Sequence, residues 1–422
     1  LSCGQHRDPR QLVMLIESSP LNLDPRIGTD AQSQWIGELI YDSLLRRDER
    51  AQLAPSVAQS WESPDPLTHI LHLRSDVKFH DGRPLTARDV IYTIESLRSG
   101  ELKSLKTGSF SRVQSVDLVD DWTVRIRLKQ PYASFLWNLT QGAFGIVPEG
   151  TELNADVPPV GSGPFQFVEA NRDDNVRLAA NPKYWGGAPH IAELEFKVVP
   201  DATTRALEMR RGSADILVRS LPADAVESLR SDPNLVVVQR PGNTYQYLAL
   251  NLTNDKLGLP VRQALAYGID RKAMVKHLWR NQVRLADSVL PPDHWAHGHD
   301  LPVYGYNPQR AIALLEAAGY HPDTNGTRLQ LQMKTSTDQS GRELGLLLQD
   351  QLSRIGIRLD LQSHDFAKFY TDISKGNFDL FSLRWIGGNE DPDIFEYVFH
   401  SKKVPPAGGN RGRYDSAEAD RL

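Results

Sequence analysis

The segment from Asn307 to Trp385 constrains the fold more than any other part of the chain. Asn307-Pro308 reads as an N-cap followed by proline at the first helical position. Ile312, Leu315 and Ala318 then share one helical face, and Gly319 ends the helix. A strand follows from Leu329 to Met333, a helix from Arg342 to Ile355 closed by Gly356, and a strand from Ile357 to Leu361. A helix from Phe366 to Lys375 closed by Gly376 and a strand from Phe378 to Trp385 complete the run. Strands joined through helices in this way form a parallel sheet covered on both faces. Such sheets bind ligands beyond the carboxyl ends of their strands, which makes Trp385 the first place to look.

The rest of the chain has the same α/β character. Gln11 to Glu17 reads as a strand, and Asn22-Leu23-Asp24-Pro25 as the turn after it. Ile36, Leu39, Ile40 and Leu44 recur at helical spacing. Thr86 caps a helix whose third residue is Asp89 and whose apolar face is Val90, Ile91, Ile94 and Leu97. Asp201 caps a helix that Gly212 ends, between strands Ile191 to Val199 and Asp215 to Leu217, and Tyr245 to Leu252 is a further strand.

Several function classes are excluded. A net charge of −5, dispersed along 422 residues, leaves no basic patch for nucleic acid. No apolar run is long enough for a membrane-spanning helix. A single cysteine, Cys3, rules out an internal disulfide and any site that needs several thiolates. No Gly-x-Ser-x-Gly elbow, His-Glu-x-x-His helix or Gly-x-x-x-x-Gly-Lys loop is present. Leu1-Ser2-Cys3-Gly4 reads as the end of a bacterial lipoprotein signal, so Cys3 is the expected lipidation site and residues 1–10 a tether to the membrane surface.

Eight segments in a fixed order carry a family resemblance. They are Asn22-Leu23-Asp24-Pro25, Leu53-Ala54-Pro55 to Trp61, and Val77 to Gly82 with Thr86 to Val90. Gly161-Ser162-Gly163-Pro164-Phe165, Asn181-Pro182-Lys183-Tyr184-Trp185, Val261 to Leu265, Ile269-Asp270-Arg271 and Asp391-Pro392-Asp393 follow. In this order they resemble the family-5 extracellular solute-binding proteins of ATP-binding-cassette (ABC) transporters, which include dipeptide, oligopeptide and nickel receptors. The resemblance implies a two-lobed α/β fold of the periplasmic-binding-protein type (type II, cluster C), closing on a ligand by hinge motion. Residues 11–30 and 160–253 are expected to form the core of lobe one, 31–159 an inserted subdomain, and 254–422 lobe two. The C-terminal return to lobe one is expected to be missing, since Leu422 falls in what reads as the start of a helix. The expected partners are a peptide-like solute and the permease subunits, for a monomeric, extracytoplasmic receptor that needs no cofactor. A metal chelate or an oligosaccharide is the alternative cargo, and a secreted metal-dependent hydrolase the alternative function.

The candidate ligand site centres on Trp385, Gly387, Gly388, Asn389 and Glu390, where glycines admit a ligand near the backbone and tryptophan offers a flat apolar wall. In the dipeptide-binding branch, the resemblance places an aspartate at the position of Gly388 to hold the peptide ammonium, and an arginine at Thr335 to hold its carboxylate. Both anchors are missing here, and Glu390 is the nearest substitute for the first. Tyr245, Tyr247 and Asn22 are further candidates, set on or after strands that should face the cleft; strand packing explains the tyrosines equally well, and a turn role explains Asp24. His294, His297 and His299, flanked by Asp293 and Asp300, form a weak metal candidate in a proline-bounded loop.

Overall fold

The computed structural model describes residues 10–28, 30–48, 52–100, 102, 104, 106–140, 144–153, 157–218, 221–298, 300–337, 339–385 and 391–421. The chain divides into two compact units, Leu1–Leu221 with Ala225–Val237, and Pro222–Asp224 with Val238–Leu422.

In the first unit, the strand Gln11–Ile16 lies inside a five-stranded sheet. It runs parallel to Glu193–Val198 on one side and to Ile216–Leu217 on the other. Phe165–Asn171 and Asn175–Ala180 extend the sheet as an antiparallel pair. The period-2 alternation of a strand explains the central place of the first one: Val13 and Leu15 bury against Val199 and Ala214, while Ile16 packs on the opposite side with Ile36, Ile40 and Phe196. The helix Ala31–Ile40, capped by the Asp30 carboxylate accepting the Ser33 N–H at 2.9 Å, therefore belongs to this core. The inserted portion was expected to begin at residue 31, yet its own hydrophobic core runs from Leu44 to Ile146.

That inserted core is built on an antiparallel sheet in the order Ala58–Asp65, Thr68–Leu73, Thr123–Leu128, Val113–Asp120. The helix Ala87–Arg98 covers it and starts as the sequence predicts, with the Asp89 carboxylate accepting the Thr86 N–H at 2.8 Å. The motif segments converge here. Both ring nitrogens of His80 meet the backbone of Gly161 and Gly163, at 3.3 and 3.0 Å, so His80 is a structural clasp. Gly161 and Gly163 lie so close to the Ile40 carbonyl group that a Cβ at either would fall under 3 Å from its atoms.

In the second unit, Leu329–Ser336 runs parallel to both Ile357–His364 and Leu380–Trp385, as the strand–helix alternation requires. The helices Gln339–Ser353 and Phe366–Lys375 form the crossovers, and Gly376 closes the second with φ 83°. The strand Tyr245–Leu250 was assigned by sequence to lobe one, whose core was expected to continue to residue 253. It instead pairs antiparallel along its whole length with Leu380–Trp385, completing the edge of the second sheet, and the division between units falls near residue 237.

Candidate ligand-binding site

The strand pairing that moves Tyr245 into the second unit also sets it directly opposite Trp385. Tyr247 lies two residues on, so both tyrosines project from one face, with ring centroids 5.7 Å apart. Trp385 is held edge-on by Tyr397 at 6.0 Å, and Tyr247 packs edge-on against buried Phe381 at 5.9 Å. The inner half of this face is core: Phe369, Ile373, Phe378 and Phe381 bury together beneath Tyr247.

The outer half holds a residue that sequence reasoning missed. The guanidinium of Arg411 lies 5.4 Å from the Trp385 ring and 5.5 Å from the Tyr370 ring. Its Nη1 donates to the Tyr247 hydroxyl at 3.3 Å and its Nη2 to the Tyr370 hydroxyl at 3.0 Å. Burial opposes its charge, but the interactions with Tyr247 and Tyr370 outweigh it and hold the pKa above the ordinary value. Burial likewise pushes the phenols of Tyr245, Tyr247 and Tyr397 up, so all three stay protonated at neutral pH.

The loop carrying Arg411 is locked in place. The Asn410 side chain is 1% exposed, donating to the carbonyls of His400 and Tyr414 and accepting the Tyr414 N–H. Arg413 returns to the Arg411 carbonyl at 2.9 Å, and the Gly412 carbonyl accepts the Leu252 N–H. Gly409 touches the aromatic wall; a Cβ there would sit 2.7 Å from Tyr397 Cε1 and 3.1 Å from Trp385. The signal was present in the sequence as Gly408-Gly409-Asn410-Arg411-Gly412-Arg413, a glycine-rich run with two arginines, but only its fold onto Trp385 gives it meaning. Phe366, Tyr370, Phe395, Tyr397 and Phe399, each at least 39% exposed, make this the aromatic-rich surface of the unit.

The remaining candidates divide. Gly387, Gly388, Asn389, Glu390, His299 and Cys3 lie outside the described residues. Thr335 is 3% exposed, and its hydroxyl is 2.8 Å from that of Ser363 on the paired strand, so it is committed to the sheet interior. Asn22 belongs to the first unit, where its side-chain carbonyl accepts the Asp24 N–H at 2.7 Å and shapes the turn. Asp24 in turn holds the buried Arg26 at 2.7 Å. Beside this turn lies a shallow, water-sized hollow, lined in part by Gly28, Gln34, Glu38, Tyr41 and Lys106. Burial brings the Lys106 ammonium down to about 8 and pushes the Glu38 carboxyl up. His297 pairs with Asp287 at 3.0 Å, whereas Nδ1 of His294 accepts the Ala296 N–H, so these two imidazoles do not converge. The described residues hold no group of three or more metal-ligating side chains. The helix Ile394–Phe399 begins without a side-chain cap from Asp393; Asp391 accepts the Asp393 N–H instead.

A largely parallel α/β unit that offers an aromatic wall and a fixed cation at the carboxyl end of a strand has the features of a ligand-binding surface. The model of bacterial extracellular solute-binding proteins, family 5, matches residues 52–405, and the chain belongs to that family. It is 31% identical over 442 residues to the probable di/tripeptide-binding protein 5 of Pseudomonas aeruginosa, covering 97% of this chain and 83% of that one. It is 26% identical over 435 residues to the dipeptide-binding protein of Escherichia coli, covering 96% and 81%. The crystal structure of NikZ from Campylobacter jejuni in complex with Ni(L-His) superposes with a TM-score of 0.86 at 27% identity, covering 98% of this chain and 86% of that one. Among the described residues, no helix is long and apolar enough to cross a membrane.

Proposed function

We propose that this protein is the substrate-binding receptor of an ABC importer, capturing a peptide or peptide-like solute and handing it to the permease. The observation that carries this reading is the cluster of Trp385, Tyr245, Tyr247, Tyr370 and Arg411 at a strand's carboxyl end, in a chain of family 5. Aromatic faces supply contact area that tolerates many side chains, and a fixed charge supplies orientation. Hinge closure on the ligand is the conformational step of the same proposal, which small-angle scattering would register as a smaller radius of gyration. Native mass spectrometry of protein purified without refolding tests the ligand class. A co-purifying peptide is the expected result. A metal–amino-acid chelate, the cargo suggested by the likeness to the nickel–histidine complex, or an oligosaccharide in its place would sink the peptide reading.

Lipid anchoring at Cys3, an extracytoplasmic location and a monomeric state belong to the same proposal, supported by the Leu1-Ser2-Cys3-Gly4 sequence and the family. A precursor expressed in a bacterium is expected to be acylated at Cys3. A Cys3→Ser form that stays with the membrane fraction would remove the anchor.

A further inference from the structure

The donors around Arg411 exceed its acceptors. A guanidinium carries five N–H donors and no acceptor. Two go to the hydroxyl oxygens of Tyr247 and Tyr370, which leaves three. Each of those hydroxyls, having accepted from the guanidinium, still has its own O–H to donate. Among the described residues, no carboxylate forms an ion pair with Arg411, and the side chains that hydrogen-bond its guanidinium are Tyr247 and Tyr370. Among the described residues, this half-buried cation therefore meets aromatic rings and neutral hydroxyls but no anion. A desolvated charge of this kind ordinarily has a counter-ion.

We propose that Arg411 is a preformed carboxylate anchor, taking the acid group of the bound solute in a bidentate contact beside Trp385, with the Tyr247 and Tyr370 hydroxyls as auxiliary donors. The planar fork of a guanidinium matches a carboxylate, and with the Trp385 and Tyr370 rings 5.4 and 5.5 Å from its carbon it still has three N–H donors for the ligand. The Asn410 side chain and the Arg413–Arg411 contact hold the loop backbone, and the two tyrosine hydroxyls hold the guanidinium, before any ligand arrives, so little ordering cost is left for binding. The site therefore selects the acid end of the solute, a polarity opposite to that of a carboxylate anchor for an ammonium.

This inference rests on the peptide-receptor reading, and two arms separate the two. In the first, wild type, Arg411→Gln and Arg411→Lys are each incubated with a tryptic casein digest, and with the same digest after methyl esterification of its carboxyls. Retained peptides are counted by native mass spectrometry. Wild type is expected to retain the free acids and to lose about ten- to a hundredfold on esterification. Arg411→Gln is expected to lose retention of the acids to the same degree, and Arg411→Lys, which keeps the charge without the fork, to fall between. Equal retention of acids and esters by the wild type, or wild-type retention by Arg411→Gln, overturns the anchor and leaves the receptor reading standing. The second arm needs no peptide: sodium benzoate is titrated against tryptophan fluorescence, with benzyl alcohol as the uncharged control. If no peptide is retained by any form, the peptide reading fails and benzoate decides the anchor. A saturable change in wild type that Arg411→Gln lacks supports it, and no change, or the same change in the variant, overturns it. Melting temperatures of the three proteins report whether either variant has lost its fold.

Discussion

The indole Nε1 of Trp185 donates to one oxygen of Asp42 at 2.9 Å while the Tyr184 hydroxyl donates to the other at 3.0 Å. The carboxyl they share is 1% exposed, and burial raises its pKa from the ordinary 3.8 to about 6 despite those two donors. A group raised on folding favours the fold most where it is protonated in both states. Its contribution is full below pH 3.8 and is lost as pH rises through about 6. A shift of this size corresponds to about 3 kcal/mol of stability across the window. Urea unfolding of wild type and Asp42→Asn at intervals from pH 3.5 to pH 7 checks it. The difference between the two proteins should change with the slope of one titrating proton; a constant difference would assign the titration elsewhere.

Trp385 should report ligand. Trp385→Phe keeps an aromatic against Tyr397 but removes the larger face beside Arg411. Binding of a retained peptide should weaken by roughly three- to tenfold, consistent with the ~0.5–1.5 kcal/mol of an aromatic contact. Seven other tryptophans contribute to emission, so the ligand-dependent part is read as wild type minus variant. If that difference spectrum is empty and calorimetric affinity is unchanged, Trp385 is a packing residue.

Tyr247 and Arg411 should be energetically coupled. Tyr247→Phe removes the acceptor 3.3 Å from Nη1 without opening the aromatic packing against Phe381. A double-mutant cycle with Arg411→Gln on peptide binding should give a coupling of about 0.5–3 kcal/mol, as groups in one network do. Additive losses would mean that the hydroxyl does not position the guanidinium.

The glycines near the two clusters should differ in kind. A Cβ at Gly161 would sit 1.9 Å from the Ile40 carbonyl oxygen, and backbone there cannot yield without moving the helix end. Gly161→Ala should destabilise the first unit by more than ~3 kcal/mol or prevent folding, since a clash with backbone exceeds ordinary overpacking. Gly409→Ala meets side chains that can rotate, so its cost should be about 1–3 kcal/mol, with a shift in the emission of Trp385. Thermal unfolding of both variants ranks them, and the reverse order would contradict the contact geometry.

Local chemistry was legible in the sequence. Asp201 and Asn307 cap the helices they were expected to cap, and Gly212 and Gly376 end theirs at φ 66° and 83°. The parallel strands of the second sheet follow from the helices between them. What the sequence hid are pairings between distant segments. Tyr245 finds its partner 140 positions later, and an antiparallel edge strand leaves no local mark of where that partner lies. Thr335 aligned with a ligand position, but its bond to Ser363 depends on strand register. Arg411 stands in a loop whose meaning comes from Trp385 and Tyr370, which approach it from two other elements.

The pairing of Gln11–Ile16 with Glu193–Val198 has a consequence for biosynthesis. A chain emerging from the ribosome exposes its first strand early, with the apolar side chains of Val13, Leu15 and Ile16 on it, yet both neighbouring strands are made much later. At a synthesis rate of ~5–20 residues per second, that strand waits on the order of ten seconds or more for its partner. The inserted core, complete by Ile146, can settle first, leaving the N-terminal strand as the last piece of its unit to be sealed and an unpaired segment that a holding chaperone could grip.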